Sequence, residues 1–298
     1  MISRILGCAT LLALAPLSLA AQGDTIARTA RARECPSCAE WNAPQQPFRI
    51  HGNTWFVGTH GLSAILITSA RGHVLIDGGL PESAPQIEAS VRALGFRMRD
   101  VKLILNSHAH FDHAGGIAAL QRASGASVAA SAWSAGVLER GASPESDPQY
   151  GILLGYPAVP GGVRTFADGE TLRVGPLALT AHLTPGHTPG GTTWSWQSCE
   201  GPRCLEMVYA DSQTPVSADG FEFSSNTTYP RALLDFDRGF AVLEGLRCDV
   251  LLTPHPGASQ LWERVAAGRL ADGEACRRYA ASARARLAER VAEERVKP

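Results

Sequence analysis

The sequence predicts an α/β fold in which two mixed β-sheets pack face to face with helices on their outer faces. Three observations carry this. Short apolar runs bounded by Gly, Pro, Asn and Asp recur along the chain, and such runs read as strands. Segments of helical period separate them. The same plan, several strands and then a helix, occurs once in each half, so each half supplies one sheet. The 298 residues, 45% of them hydrophobic, suffice for one large domain.

The elements follow in order. Arg4 precedes an apolar run to Ala15, and Ser18-Leu19-Ala20 supplies small residues at cleavage positions. Residues 1–20 therefore read as a secretory signal, too short for a membrane span, which predicts a periplasmic protein with no membrane attachment after cleavage. Residues 21–46 are polar, contain Arg and Pro, and are expected to form an extended arm. Residues 47–298 are expected to form a single domain. Phe48–Val57, Leu62–Thr68 and His73–Asp77 read as strands. Pro81–Leu94 reads as a helix with Ile87, Val91 and Leu94 on one face. Val101–Leu105 is a strand, Gly116–Ser124 a helix and Ser127–Ala130 a strand. Residues 139–163 are rich in Gly, Pro, Asp and Ser and read as a long loop.

The second half offers strands at Thr171–Val174, Leu177–Leu183, Thr192–Gln197 and Leu205–Ala210. A helix at Arg231–Leu246, a strand at Asp249–Leu252 and a last helix at Gly273–Val296 complete it. In that last helix Tyr279, Ala283, Leu287 and Val291 recur every four residues as an apolar stripe. Trp194 and Trp196 share one strand face and are expected in the core.

Net charge and cysteines bound the function. The formal charge is -1, and no basic run stands near the histidines, which argues against nucleic acid as a partner. Losing Arg4 with the signal moves the charge from -1 to -2. Seven cysteines less Cys8 leave six, an even number in an exported chain, where disulfides persist. Cys199 and Cys204 bracket a Gly-Pro turn and would staple a hairpin. Cys35-Pro36-Ser37-Cys38 lacks a second Cys pair, which favours a local disulfide over a zinc or redox motif.

The chemistry concentrates in Asn106-Ser107-His108-Ala109-His110-Phe111-Asp112-His113, directly after the strand Val101–Leu105. Side chains two apart in extended chain point the same way, so His108 and His110 can share one ion. Asp112 and His113 follow the bend and aim elsewhere. Two later strands each end in one histidine on a Pro/Gly turn, Pro185-Gly186-His187 and Pro254-His255-Pro256. The ligands divide into His108, His110, His187 and Asp112, His113, His255. Three imidazoles with an open position describe a catalytic zinc site. The remaining histidines lack partner spacing: His51, His60 and His73 are expected at the surface, and His182 is expected to be structural.

The order His-x-His-x-Asp-His, Gly-His, Pro-His resembles the metallo-β-lactamase superfamily, from about Gln46 to the C-terminus. Leu75-Ile76-Asp77-Gly78-Gly79, Pro185–Gly190, Tyr209-Ala210-Asp211-Ser212 and Leu251–Ser259 resemble its subclass B3. The resemblance implies the αββα sandwich, with the metals at one edge of the sheets. It implies two zinc ions and hydrolysis of the β-lactam amide of penicillins, cephalosporins and carbapenems by a metal-bound hydroxide, conferring antibiotic resistance. Asp112 would orient the attacking hydroxide, and no serine nucleophile is needed; the Ser-x-x-Lys motif is absent. Ser212 and Thr214 would bind the substrate carboxylate, Thr214 standing where the family pattern has Ser. Gln149 would line the cleft from the loop. Asp77 would brace the zinc loop, and Cys248 would pair with Cys276. In thioesterase relatives an Asp equivalent to Asp211 bridges both metals; here Asp211 is read as hydrogen-bonded behind a ligand histidine. The alternative is another exported hydrolase of this fold, a lactonase or thioesterase. A monomer acting on a small-molecule substrate is expected.

Overall fold

The computed structural model describes residues 35–296; the predicted signal and the arm as far as residue 34 lie outside the described residues. The first half contains α1 (Cys38–Trp41), β1 (Phe48–His51), β2 (Thr54–Phe56), β3 (Ile65–Ile67), β4 (His73–Ile76), α2 (Ala84–Ala93), β5 (Val101–Leu105), α3 (Phe111–Ala114), α4 (Ile117–Ser124), β6 (Ser127–Ala130), α5 (Ala132–Arg140) and β7 (Arg164–Thr165). The second contains β8 (Thr171–Val174), β9 (Leu177–Leu183), β10 (Thr192–Glu200), β11 (Arg203–Tyr209), α6 (Ala232–Gly245), β12 (Val250–Leu252), α7 (Leu261–Ala266) and α8 (Ala275–Val296). Strands β1 to β7 form one sheet in sequence order, and the other runs β12-β11-β10-β9-β8. Pairing is antiparallel from β1 to β4 and parallel from β4 to β7; β11 pairs with β12 in parallel and the rest of that sheet is antiparallel.

Alternation along the strands sets the layers. Ile65, Ile67, Val74, Ile76, Leu103 and Leu105 meet Leu179, Ala181, Trp194, Trp196, Met207 and Tyr209 between the sheets. The intervening Leu66, Leu75 and Ile104 face outward onto Ile87 and Val91 of α2 and Ile117 and Leu120 of α4. On the other side Val208 and Leu251 receive Phe236, Phe240 and Leu243 of α6 with Tyr279, Ala283 and Leu287 of α8. The result is the expected αββα sandwich, with both tryptophans in its centre and the α8 stripe docked on its body.

Several local expectations are corrected. Phe48–Val57 is a hairpin, not one strand: Gly52 turns the chain at φ +49, and a Cβ there would meet the Cys199 carbonyl oxygen at 2.4 Å. Part of the arm is helical, as α1. Helix α5 occupies the start of the expected long loop; Ser131 Oγ accepts the Ser134 N–H at 3.3 Å and Gly141 closes the helix at φ 69. Helix α7 and strand β7 were not foreseen. His73 is buried, not at the surface: its Nδ1 accepts the Ser69 N–H at 3.3 Å and its ring meets the edge of Phe96. The disulfides Cys35–Cys38, Cys199–Cys204 and Cys248–Cys276 are present.

Candidate metal centre

Buried carboxylates aim the loop after β5. Asp77, at the end of β4, has φ 61 and is fully buried. Its Oδ1 accepts the Ser107 N–H at 2.8 Å and Asn106 Nδ2 at 3.2 Å; its Oδ2 accepts Ser107 Oγ at 2.6 Å and the Tyr209 hydroxyl at 2.8 Å. Burial pushes this carboxyl above its ordinary value, opposed by His113 and by these donors. Asn106 passes the constraint on, donating Nδ2 to the His108 carbonyl at 2.8 Å. Gly78 N–H donates to the His113 carbonyl at 2.7 Å, so the loop is held at both ends.

Two donor groups result. His108, His110 and His187 each offer one ligand atom within 4.8 Å of the others, and so do Asp112, His113 and His255. The groups adjoin: the ring centroids of His108 and His113 are 4.5 Å apart. Five of the six residues are buried; the His255 side chain is 33% exposed and marks the open side.

In the first group the outer nitrogen of every ring is held. His108 Nδ1 lies 2.7 Å from Asp211 Oδ1, both side chains fully buried, which leaves Nε2. His110 Nε2 lies 3.0 Å from Asp147 Oδ2, which leaves Nδ1. His187 Nδ1 donates to the Thr214 carbonyl at 2.8 Å, which leaves Nε2. Such contacts fix the tautomer and orientation of ligand rings. Burial, then the neighbouring His113 and His110, drive His108 well below its usual range. Burial and His110 push His187 down to about 3. Burial would lower His110 too, but Asp147 outweighs it and raises that imidazole. In the second group Asp112 Oδ2 lies 3.2 Å from Nε2 of both His113 and His255. Burial opposes the charge on Asp112, yet these histidines hold its carboxyl well below the usual range.

The donor set fits a metal ion. His108 Nε2 and His113 Nδ1 are buried without any hydrogen-bond partner. Stranding such atoms is costly, and a cation would satisfy the first directly. Imidazole and carboxylate donors, with an open side, suit a catalytic divalent ion.

The other candidates fall nearby. Gln149 Nε2 lies 3.4 Å from His187 Nε2. Ser212 is buried one residue beyond Asp211. The Thr214 hydroxyl stands 3.2 Å from His187 Nδ1, on the ring's outer side. Asp211 stands behind His108, and His182 bonds Ser195 Oγ at 2.7 Å. Sequence reasoning missed Asp147, whose loop has no periodicity to single it out. It also missed Tyr279, whose hydroxyl donates to the Asp211 carbonyl at 3.2 Å and accepts the Gln213 N–H at 3.1 Å. The Tyr156 hydroxyl, donating to the Ala109 carbonyl at 2.8 Å, was missed as well. Trp41 of the arm lies beside His255 with the two rings tilted, centroids 5.1 Å apart.

A family model described as the metallo-beta-lactamase superfamily matches residues 57–199. Among solved structures, the Rm3 metallo-β-lactamase is 56% identical with a TM-score of 0.86, over 88% of this chain and 99% of that one. MEM-A1, a subclass B3 metallo-β-lactamase isolated from a soil metagenome library, is 49% identical with a TM-score of 0.85, over 87% of this chain and 100% of that one. A curated relative, a hydroxyacylglutathione hydrolase of Anaeromyxobacter dehalogenans (strain 2CP-C), is 32% identical over 132 residues, which are 44% of this chain and 41% of the relative. Likeness to nearly the whole of two such enzymes settles the family: the protein belongs to the metallo-β-lactamase superfamily, is a hydrolase, and resembles subclass B3.

Proposed function

We propose that the protein hydrolyses the amide bond of β-lactam antibiotics (penicillins, cephalosporins and carbapenems) with one zinc ion on His108, His110 and His187 and a second on Asp112, His113 and His255. The observation that carries this is the adjacency of two complete donor groups with one open side. Zinc there would polarise the lactam carbonyl and the departing nitrogen and bring the pKa of water to about 7. The chain's residues do the rest. Asp112, kept ionised by His113 and His255, orients the attacking hydroxide. Asp211, Asp147 and the Thr214 carbonyl hold the ligand rings. Gln149 borders the cleft beside His187, and Ser212 binds the substrate carboxylate. Thr214 shares that contact and, through its hydroxyl, steadies His187.

A thioesterase reading has support from the hydroxyacylglutathione hydrolase relative, over less than half of either chain. Against it, Asp211 Oδ1 is engaged with His108 Nδ1 at 2.7 Å, and Asp211 joins neither donor group. We place the protein in the periplasm and the active unit in the monomer. Three disulfides among the described residues suit an oxidising compartment. No described helix is long and apolar enough to cross a membrane, and all six donors come from one chain.

The deciding experiment follows lactam absorbance as zinc-loaded protein acts on a carbapenem, a penicillin and a cephalosporin, with and without a chelator. Fast, chelator-sensitive loss is expected. No hydrolysis of any of the three, with turnover of a glutathione thioester or a lactone, would overturn the proposal.

A further inference from the structure

A cavity of about 520 Å³, separate from the donor groups, lies against α8, the turn after His255 and α7. Three guanidinium groups line it, Arg264, Arg278 and Arg286, against a single carboxylate, Asp272. Contacts within the fold leave their donors unspent. Arg264 gives Nη2 to the Leu251 carbonyl at 2.7 Å, but its Nε and Nη1 are buried without an acceptor. Arg286 gives Nη1 to Ser282 Oγ at 2.7 Å, and its Nε is likewise buried and unpaired. Asp272 pairs with Arg278 and also accepts the Glu274 N–H at 3.1 Å, so its one charge is shared. Burial pulls Arg264 below its ordinary value, with Asp272 opposing. Three guanidinium groups around one cavity, with a single carboxylate among them, give it a net positive lining, and guanidinium N–H groups form strong charge-assisted hydrogen bonds to oxyanions.

We infer that this cavity binds a compact, doubly charged oxyanion, a phosphate or phosphate monoester, through Arg264, Arg278 and Arg286. The charge count selects the class. Three cations and one anion leave two positive charges, which a monocarboxylate would only half neutralise. Guanidinium forks match the oxygen geometry of phosphate. Tyr279 lines the same cavity and bridges Asp211 and Gln213, so the anion would sit one residue behind the support of His108.

The test is calorimetric titration of the zinc-loaded protein with inorganic phosphate and, separately, glycerol phosphate, at constant ionic strength set with chloride. Saturable binding is expected, weakened about tenfold or more in Arg286→Gln and in Arg278→Gln, as loss of a charge-assisted hydrogen bond implies. His187→Ala, altered at the metal centre, should bind as the wild type does. Should Arg286→Gln fail to fold, Arg278→Gln carries the test, since that side chain is 61% exposed. Binding of one phosphate form alone supports the site and names its ligand. No saturable binding of either, or binding kept in Arg278→Gln and lost in His187→Ala, would overturn the inference.

Discussion

Asp211→Ala removes the acceptor behind His108. The pair is 2.7 Å apart and both side chains are fully buried, so no solvent can replace the carboxylate without rearrangement. An unpaired buried N–H costs about 1–3 kcal/mol. His108 can avoid that cost by turning or by taking the other tautomer, and either change removes Nε2 from the donor group. The cost therefore falls on metal affinity. At about 1.4 kcal/mol per factor of ten, the expected loss is roughly 5- to 150-fold, which brackets the about 10- to 100-fold typical of groups behind metal ligands. Asp211→Asn keeps an acceptor oxygen and should lose less than about tenfold. Competition with a chromophoric chelator at neutral pH measures both variants, with zinc content determined alongside. An unchanged affinity in the Ala variant would refute the support role. An Asn variant as impaired as the Ala variant, with one ion fewer per chain, would mean that Asp211 binds metal itself.

Asp77→Ala strands four donors, from Ser107, Asn106 and Tyr209. It should cost about 3–5 kcal/mol and lower the thermal midpoint by roughly 6–20 °C; a fall below about 3 °C would contradict the brace. Ser212→Ala should raise KM for a β-lactam with kcat little changed, and an unaltered KM in steady-state kinetics would dismiss the carboxylate contact. Glu294 accepts the Phe223 N–H at 2.9 Å, the Ser224 N–H at 3.0 Å and Arg290 Nε at 3.0 Å. Burial would raise this carboxyl, but Arg290 and the two amides outweigh it and hold it below 4.5. A depressed folded pKa means stability that is present above 4.5 and lost as pH falls through the lower folded value. Glu294→Gln should therefore be about 1–2 kcal/mol less stable at neutral pH, with the gap closing on acidification; a gap that widens in denaturant titrations at low pH would reverse the sign.

What could be read from the sequence was what local chemistry dictates. Val101–Leu105 and Leu177–Leu183 match their strands end to end, because apolar runs between turn residues leave the chain little choice. The grouping of the six candidate ligands was legible because each stands on a turn at a strand end, and strand direction constrains where such side chains point. Asp147 was not legible: it meets His110 across 37 residues, through a loop whose path depends on tertiary contacts such as Tyr156 to Ala109. His73 was misjudged because its strand is buried on both faces, so alternation carried no information there. Helix α5 had readable signals in Ser131 and Gly141, but Gly136 between them weakened the helical pattern. Gly52 hid a hairpin inside what read as one strand, since one residue at positive φ helps to reverse the chain.

The two donor groups differ in how far the fold prepares them, and this predicts how metal leaves. Every ring of the first group is fixed from behind, by Asp211, Asp147 or the Thr214 carbonyl. In the second, His113 Nδ1 has no partner, and His255 is a third exposed with Trp41 as its aromatic neighbour across 5.1 Å. A ring already oriented loses less freedom on binding, so the first group should hold its ion more tightly. Rising chelator should remove one zinc per chain well before the other, and His255→Ala should retain one zinc while His187→Ala loses the tighter one. Simultaneous departure of both ions, followed by metal analysis across a chelator series, would show instead that the second group is as well prepared as the first. The arm residue Trp41 would then have to be counted among the groups that orient His255.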